Sequence, residues 1–282
     1  EVNYFNEKNY DKISNLGAST PSIIGSQQFL PATNYGEDMR WGIDGLVQWN
    51  KSIGDFRYSI GGNAMYLRGK YLVVDEPAAL PEYQKLTGTP MDAFMLYEAE
   101  GLFQTAGEIT SRGVTQSWGT LQPGDIRYAD LNGDDVVNEF DVHVTDYHSP
   151  RFFYGLNLSV GYKGFGIYAL GQGEADGNVM LSNNRYFMVN GTGQNYSELM
   201  LDRFPVTNDY PRLTTVALNN YQYSTFWVAK AAYFRLKNIE VSYTFPVSVS
   251  RKLAMNNLRI FARGTNLATV SSLKKYSIDP EN

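Results

Sequence analysis

The residues best placed to do chemistry form one acidic stretch, Asp130-Leu131-Asn132-Gly133-Asp134-Asp135-Val136-Val137-Asn138-Glu139-Phe140-Asp141. Side-chain oxygens stand at Asp130, Asn132, Asp134, Asn138 and Asp141, and the Val136 carbonyl falls between them. Counted from Asp130, these are the offsets of an EF-hand-type calcium loop, in which a sharp turn wraps six to eight oxygens around a hard cation. Asp130, Asn132, Asp134, Val136, Asn138 and Asp141 are therefore the candidate ligands of a structural calcium ion (Ca2+). Two departures weaken the pattern. Asp135 stands where such loops carry glycine, and the last ligand is Asp141 rather than the longer glutamate. Aspartate tolerates a left-handed turn better than most residues, and Gly133 adds freedom nearby. The competing reading is an Asp/Asn/Gly surface turn that binds nothing.

Other constellations carry less. His143 and His148 could serve a general base or a zinc site, but no further ligand spacing accompanies them, and they read as loop residues beside the acidic stretch. Glu98 and Glu100, two apart on a strand, would share a face at about 7 Å, yet nothing in the sequence implies the cleft a glycosidase pair needs. No nucleophile elbow, Walker A loop or dinucleotide fingerprint occurs; Gly61-Gly62 sits in mid-strand. The chain reads as a non-enzyme. The loop aromatics Tyr186, Phe187, Tyr221 and Trp227 could stack on sugars or pack the loops together, and both readings stay open. With no cysteine there is no disulfide framework or thiolate site, and Lys and Arg are scattered singly or in pairs, which argues against a nucleic-acid partner.

The elements around these residues are strands. From Arg151 to Tyr162, Phe152, Tyr154, Leu156, Leu158, Val160 and Tyr162 share one face, and Gly155, Asn157, Ser159 and Gly161 the other. Lys163-Gly164 is too short for anything but a hairpin turn, and Phe165, Ile167 and Ala169 lead out of it. The same period of two marks Trp41 to Trp49, Asp55 to Tyr71, Tyr233 to Phe245 and a strand from Leu258, with a strand tail over Val2 to Lys12. Trp41 and Trp49 near strand ends resemble an interfacial girdle. Residues Ser14 to Asp38, Leu72 to Pro150 and Glu174 to Ser224 read as long connections, the last with a short helix started by Ser197-Glu198. Asn50 to Gly54, Lys163-Gly164 and Pro246 to Asn257 read as short ones.

Long and short connections thus alternate along the whole chain. A soluble sandwich has no reason for this, whereas an outer-membrane barrel has short periplasmic turns and long extracellular loops. Asp44, Gln48, Arg57, Asn63, Asn157, Glu240, Arg259 and Arg263 would then face a polar lumen, and the apolar faces lipid. The expected fold class is all-β, part of a large antiparallel transmembrane β-barrel of the outer-membrane type with long extracellular loops. Seven strands are too few to close with such loops, and an open sheet in lipid would leave edge groups unpaired at several kcal/mol each. The other reading is a secreted all-β glycan-binding module braced by calcium. Glu1-Val2-Asn3-Tyr4 shows neither a charged nor an apolar leader region.

Several segments carry a family resemblance. YEAEGLFQTAGEI, PGDIRYADLNGDDVVNEFD, RFFYGLNLSVGYKGFGIYALGQG, AAYFRLKNIEVSYTFP, LRIFARGTNLATV and IDPEN resemble, in that order, the C-terminal barrel half of SusC/RagA-like TonB-dependent transporters of Bacteroidetes. YGEDMRWGIDGLVQW and DFRYSIGGNAMYLRGKYL look like earlier strands of the same barrel. The resemblance implies that residues 1–282 are a C-terminal portion of a plugged, 22-stranded barrel in the outer membrane of a Gram-negative, Bacteroidetes-like bacterium, without the plug domain or the final strand. It further implies import of oligosaccharides or peptides, a SusD-like surface lipoprotein that lids the mouth, and TonB as the driver of opening.

Overall fold

The computed structural model describes residues 1–20, 30–181, 197–213 and 218–281. Its frame is a seven-stranded antiparallel sheet built from β1 (Val2–Asn15), β2 (Ala32–Ile53), β3 (Phe56–Val73), β10 (Phe152–Tyr162), β11 (Phe165–Met180), β12 (Val228–Thr244) and β13 (Arg259–Ser271), adjacent in that order. Among the described residues β1 pairs only with β2 and β13 only with β12. Between β3 and β10 lie β4 (Phe94–Tyr97), β5 (Ala99–Leu102), β6 (Thr115–Gln116), β7 (Ile126–Tyr128), β8 (Val136–Val137) and β9 (Val142–Thr145), paired as β4–β9, β5–β7 and β6–β8. No described helix is long and apolar enough to cross a membrane, which says nothing against crossing by strands.

The register carries the expected alternation across the sheet. Trp49 stands opposite Ile60, Ile60 opposite Leu158, Leu158 opposite Ala169, Ala169 opposite Ile239, and Ile239 opposite Gly264, all on one face. That face is not a core, for Val47 is 72% exposed, Leu156 55% and Ile260 58%. So broad an apolar surface fits lipid and not water. On the opposite face are Asp44, Gln48, Arg57, Asn63, Asn157, Glu240, Arg259 and Arg263, mixed with Leu46, Met65 and Phe261. The hairpin turns at the short-connection end are tight. Lys163 (φ 46°) and Gly164 (φ 89°) join Tyr162 directly to Phe165 in register, as a two-residue turn with both central residues left-handed must.

Strand lengths depart from the sequence expectation at the long-connection end. β2 begins at Ala32, inside the stretch read as a loop, β11 continues to Met180 and β13 to Ser271. The expectation failed there because these extensions pair with equally long neighbours while both faces are polar or Gly-rich, so no alternation marks them. β2 also continues to Ile53, which narrows its turn to Gly54-Asp55. The segment from Ser197 forms a 3-10 helix, Glu198–Asp202, whose Leu199 amide is accepted by the Ser197 hydroxyl. Residues 74–150 are not one irregular connection, since six short strands run through them.

Buried apolar residues gather at this same end. Tyr97, Leu102, Ile126, Tyr128, Val137, Leu181, Met200, Tyr210 and Trp227 pack into one cluster with Ala229 and Leu273 from the strand ends. On the outward face of the sheet, the rings of Tyr154 and Phe234 lie parallel (5°, centroids 6.2 Å apart) over Gly171 and Gly173. A Cβ at either glycine would occupy the space of a ring, and at Gly173 also that of the Tyr233 carbonyl. Gly171→Val is expected to force these rings aside at a cost of about 1–3 kcal/mol, seen as a lower thermal unfolding temperature of the sheet; an unchanged temperature would contradict the packing. Trp227→Ala is expected to cost the loop cluster about 3–5 kcal/mol. Limited proteolysis should then cut within 74–150 or 198–228 well before it cuts the sheet.

Candidate functional site

At the long-connection end the described parts of the two inter-strand excursions, residues 74–150 and 198–213 with 218–227, form one body. Asp125, 1% exposed, is the centre of the join: Arg212 Nε donates to its Oδ1 (2.6 Å) and Arg212 Nη2 to its Oδ2 (3.3 Å), while Asn220 Nδ2 donates to Oδ1 (2.9 Å). A buried carboxylate is tolerable only when paired and hydrogen-bonded in this way. Asn220 also accepts the Ile126 amide (2.9 Å) and, at its carbonyl, the Trp227 indole N–H (3.0 Å). Asn219 Nδ2 donates to the Ile126 carbonyl (2.9 Å), and the Asn219 carbonyl accepts the Tyr128 hydroxyl (2.7 Å). Gln116 completes the set, accepting the Tyr128 amide (2.8 Å) and donating to the Ile126 carbonyl (3.0 Å). Burial pushes the Tyr128 phenol far up, so it stays a neutral donor.

The acidic loop hangs from this body. Val136 and Val137 pair parallel to Thr115 and Gln116, which anchors the middle of the loop. Asp130 Oδ1 accepts the Gly133 amide (2.8 Å) and Oδ2 the Asp135 amide (2.9 Å). Asp134 Oδ1 accepts the Val136 amide (2.9 Å). Asn132 accepts the Asp134 amide (3.0 Å) and donates to Asp134 Oδ2 (2.9 Å). Asn138 accepts the Phe140 amide (2.8 Å) and donates to the Val136 carbonyl (3.2 Å). Asp141, fully buried, accepts the Leu131 (2.8 Å) and Asn138 (2.8 Å) amides on separate oxygens. Burial pushes the Asp130 carboxyl up, but the amides of Gly133, Asp135 and Asp134 outweigh it and hold the group below the usual carboxylate range.

Asp135 takes φ 64°, the left-handed conformation that the glycine of a calcium loop supplies, so its side chain does not prevent the turn. Among the described residues no three His, Asp or Glu side chains converge as a metal-holding group. The carboxylates instead order the loop by capping its amides. Asp141 Oδ1 takes a second amide, that of Asn132 (3.3 Å), so its acceptor directions are filled by the loop itself.

The remaining sequence candidates separate. His143 Nδ1 lies 2.9 Å from the Leu96 carbonyl and its Nε2 3.4 Å from Glu98, whereas His148 packs edge-on to Phe94 at 5.9 Å. Glu100 is clamped by Arg112 (3.1 Å) and Arg127 (3.2 Å), so Glu98 and Glu100 do not work as an acid and base pair on one substrate. Trp227, 1% exposed, belongs to the packing alternative and offers no face to a sugar. Tyr221 is half-buried, and Tyr186 and Phe187 lie outside the described residues. On the polar face of the sheet Glu240 accepts from Arg263 (Nε 2.9 Å, Nη2 2.6 Å) and from Arg259, and the guanidinium groups of both arginines lie over the Phe261 ring. A second cluster was not anticipated: Arg235 pairs with Asp279 and Glu281, and Lys237 with Glu281 (2.9 Å), so the segment after β13 is tied back onto β12. The Asp125–Arg212 and Arg235–Glu281 pairs join residues far apart in the chain, and no local spacing announces them.

No family model matches the sequence. Two curated relatives from Formosa agariphila are similar to it: TonB-dependent receptor P3, 26% identical over 195 residues (69% of this chain, 19% of the relative), and TonB-dependent receptor P26, 26% identical over 216 residues (74% and 21%). The chain therefore spans about a fifth of the length of these relatives. Among solved structures, a RagAB peptide transporter superimposes with a TM-score of 0.70 at 20% identity, covering 99% of this chain and 30% of that one. The RagAB peptide importer in its "open-open" state gives 0.69 at 20% identity, covering 95% and 29%. The resemblance read from the sequence holds: the chain is similar to a portion of a SusC/RagA-like TonB-dependent transporter, and its sheet is part of an outer-membrane β-barrel with long extracellular loops.

Proposed function

We propose that the chain is a wall and mouth segment of an importer that carries oligosaccharides or peptides across the outer membrane of a Gram-negative, Bacteroidetes-like bacterium. The observation that carries this reading is the fused loop body standing at the end of a sheet with one lipid-type and one polar face. A transporter needs such a rigid, hydrogen-bonded surface at its mouth, where substrate arrives and a lid can seat. The partners of this reading are a SusD-like surface lipoprotein outside and TonB inside, the latter acting through parts of the protein beyond these residues. The named function of the relatives, TonB-dependent reception, and the peptide transport of the RagAB structures support it. The chain acts by binding and passage rather than by catalysis.

The acidic loop adds a brace to this surface. Asp130, Asn132, Asp134, Asn138 and Asp141, with the Val136 carbonyl, form the oxygen set for a structural calcium ion, supported by their spacing and by the left-handed Asp135.

Extraction of the intact protein only with detergent, together with heat-modifiable electrophoretic migration, is the expected behaviour; a soluble monomer in plain buffer would reject the barrel and favour a secreted glycan-binding module. Calorimetric titration with calcium is expected to show a binding event in the parent that Asp130→Ala loses. Heat evolved equally by both, or by neither, removes the metal from the loop.

A further inference from the structure

At the outward upper corner of β2 and β3 a cavity of about 370 Å3 is lined by Met39, Trp41, Arg68, Lys70, Tyr147 and Arg151. Register puts four of these on the lipid-facing side, since Met39 stands opposite Lys70 and Trp41 opposite Arg68, in phase with Ile43 and Tyr66. Depth follows from the strand. From Phe56 beside the short turn to Tyr66, a tilted β3 climbs about 25 Å, the height of the apolar band of such barrels. Tyr66 and Trp41 pack at 6.1 Å there as a girdle, and Arg68 and Lys70 are the next two outward residues. They therefore sit at the headgroup level of the outer leaflet.

The charges at this level are unbalanced. No described carboxylate lies within ion-pair distance of Arg68 or Lys70; the Arg68 guanidinium rests 5.4 Å over the Tyr66 ring. Arg151, 5% exposed, lies 3.7 Å over the Tyr147 ring and reaches Asp92 only at 3.4 Å, and its buried Nε has no hydrogen-bond partner. The other nearby acid, Asp176, is occupied by the Tyr147 hydroxyl (2.5 Å). Basic side chains that merely snorkelled to water would need no cavity between them. Here they surround a hollow with an aromatic floor, and a buried guanidinium donor is left open. Arginine and lysine around such a hollow match phosphate, a multi-oxygen anion that accepts several charge-assisted hydrogen bonds at once.

We propose that this cavity holds the phosphate of an anionic lipid of the outer leaflet, with Arg68 and Lys70 gripping it from the strand and Arg151 closing it from the loop side. The proposal rests on the outer-membrane reading of the sheet. The test is native mass spectrometry of the intact protein, delipidated in neutral detergent and titrated with lipid A that retains its phosphates. Lipid A is expected to bind the parent, and R68Q/K70Q to bind it about thirtyfold more weakly. The charge-preserving R68K/K70R restores binding, and millimolar inorganic phosphate leaves it in place. Equal binding by parent and R68Q/K70Q overturns the proposal, as does displacement of lipid A by inorganic phosphate, which would mark a site for a soluble anion. Heat-modifiable migration of the same samples separates the two failures: its absence in the parent rejects the barrel itself, and its presence with indifferent lipid binding rejects only this site.

Discussion

A strand in lipid has no water to bond, so every backbone amide and carbonyl on it must find a partner in the next strand. That constraint orders the rest of this structure. It forces long, continuous pairing from β1 to β13, interrupted only by bulges, and it forbids β1 and β13 from ending the sheet in the membrane, so the seven strands are an arc of a larger closed wall. It also fixes the connections. With strands running antiparallel through a slab, every second connection comes to the same side: the two-residue turns at Gly54-Asp55 and Lys163-Gly164 and the short helical link Val247–Lys252 lie on one, and the long excursions on the other.

Because the outward face of the sheet meets lipid, the sheet cannot bury its apolar residues against a second layer as a sandwich does. The buried cluster forms instead among the loops, around Trp227, Tyr128 and Ile126. Loops carry many backbone groups that a ladder does not satisfy, and side-chain amides take that role here. Asn219, Asn220 and Gln116 bond the Ile126 and Tyr128 backbone from the side, in place of a neighbouring strand. The Asp130 to Asp141 turn follows the same logic with carboxylates and amides capping its own N–H groups.

What was legible in the sequence follows from which of these devices is periodic. Wherever one face meets lipid and the other a polar interior, as from Phe152 to Tyr162 or from Tyr233 to Tyr243, hydrophobicity alternates, and strand and face could both be read directly. The extensions above the membrane, such as Ala32 to Arg40, have no such asymmetry and looked like loop. The calcium-type spacing of the acidic turn was visible because its residues are adjacent in sequence. The bonds that join the two loop excursions were not, since Asp125 finds Arg212 and Asn220 across the whole of β10 and β11, and an isolated Asp or Asn gives no sign of its partner. Trp227 shows the limit from the other side: aromatic in a polar stretch, it suited a sugar platform and a core anchor equally, and only its burial decides.

The closure of Asp125 by Arg212 and Asn220 has a mechanical meaning. The excursion that leaves β3 and the one that leaves β11 are separated by the hairpin β10–β11, yet they are joined above it, so the hairpin is bridged at its open end like the two legs of an arch. A push on residues 198–213 is therefore passed sideways to the acidic turn without first bending the sheet below, and the two excursions tilt together or not at all.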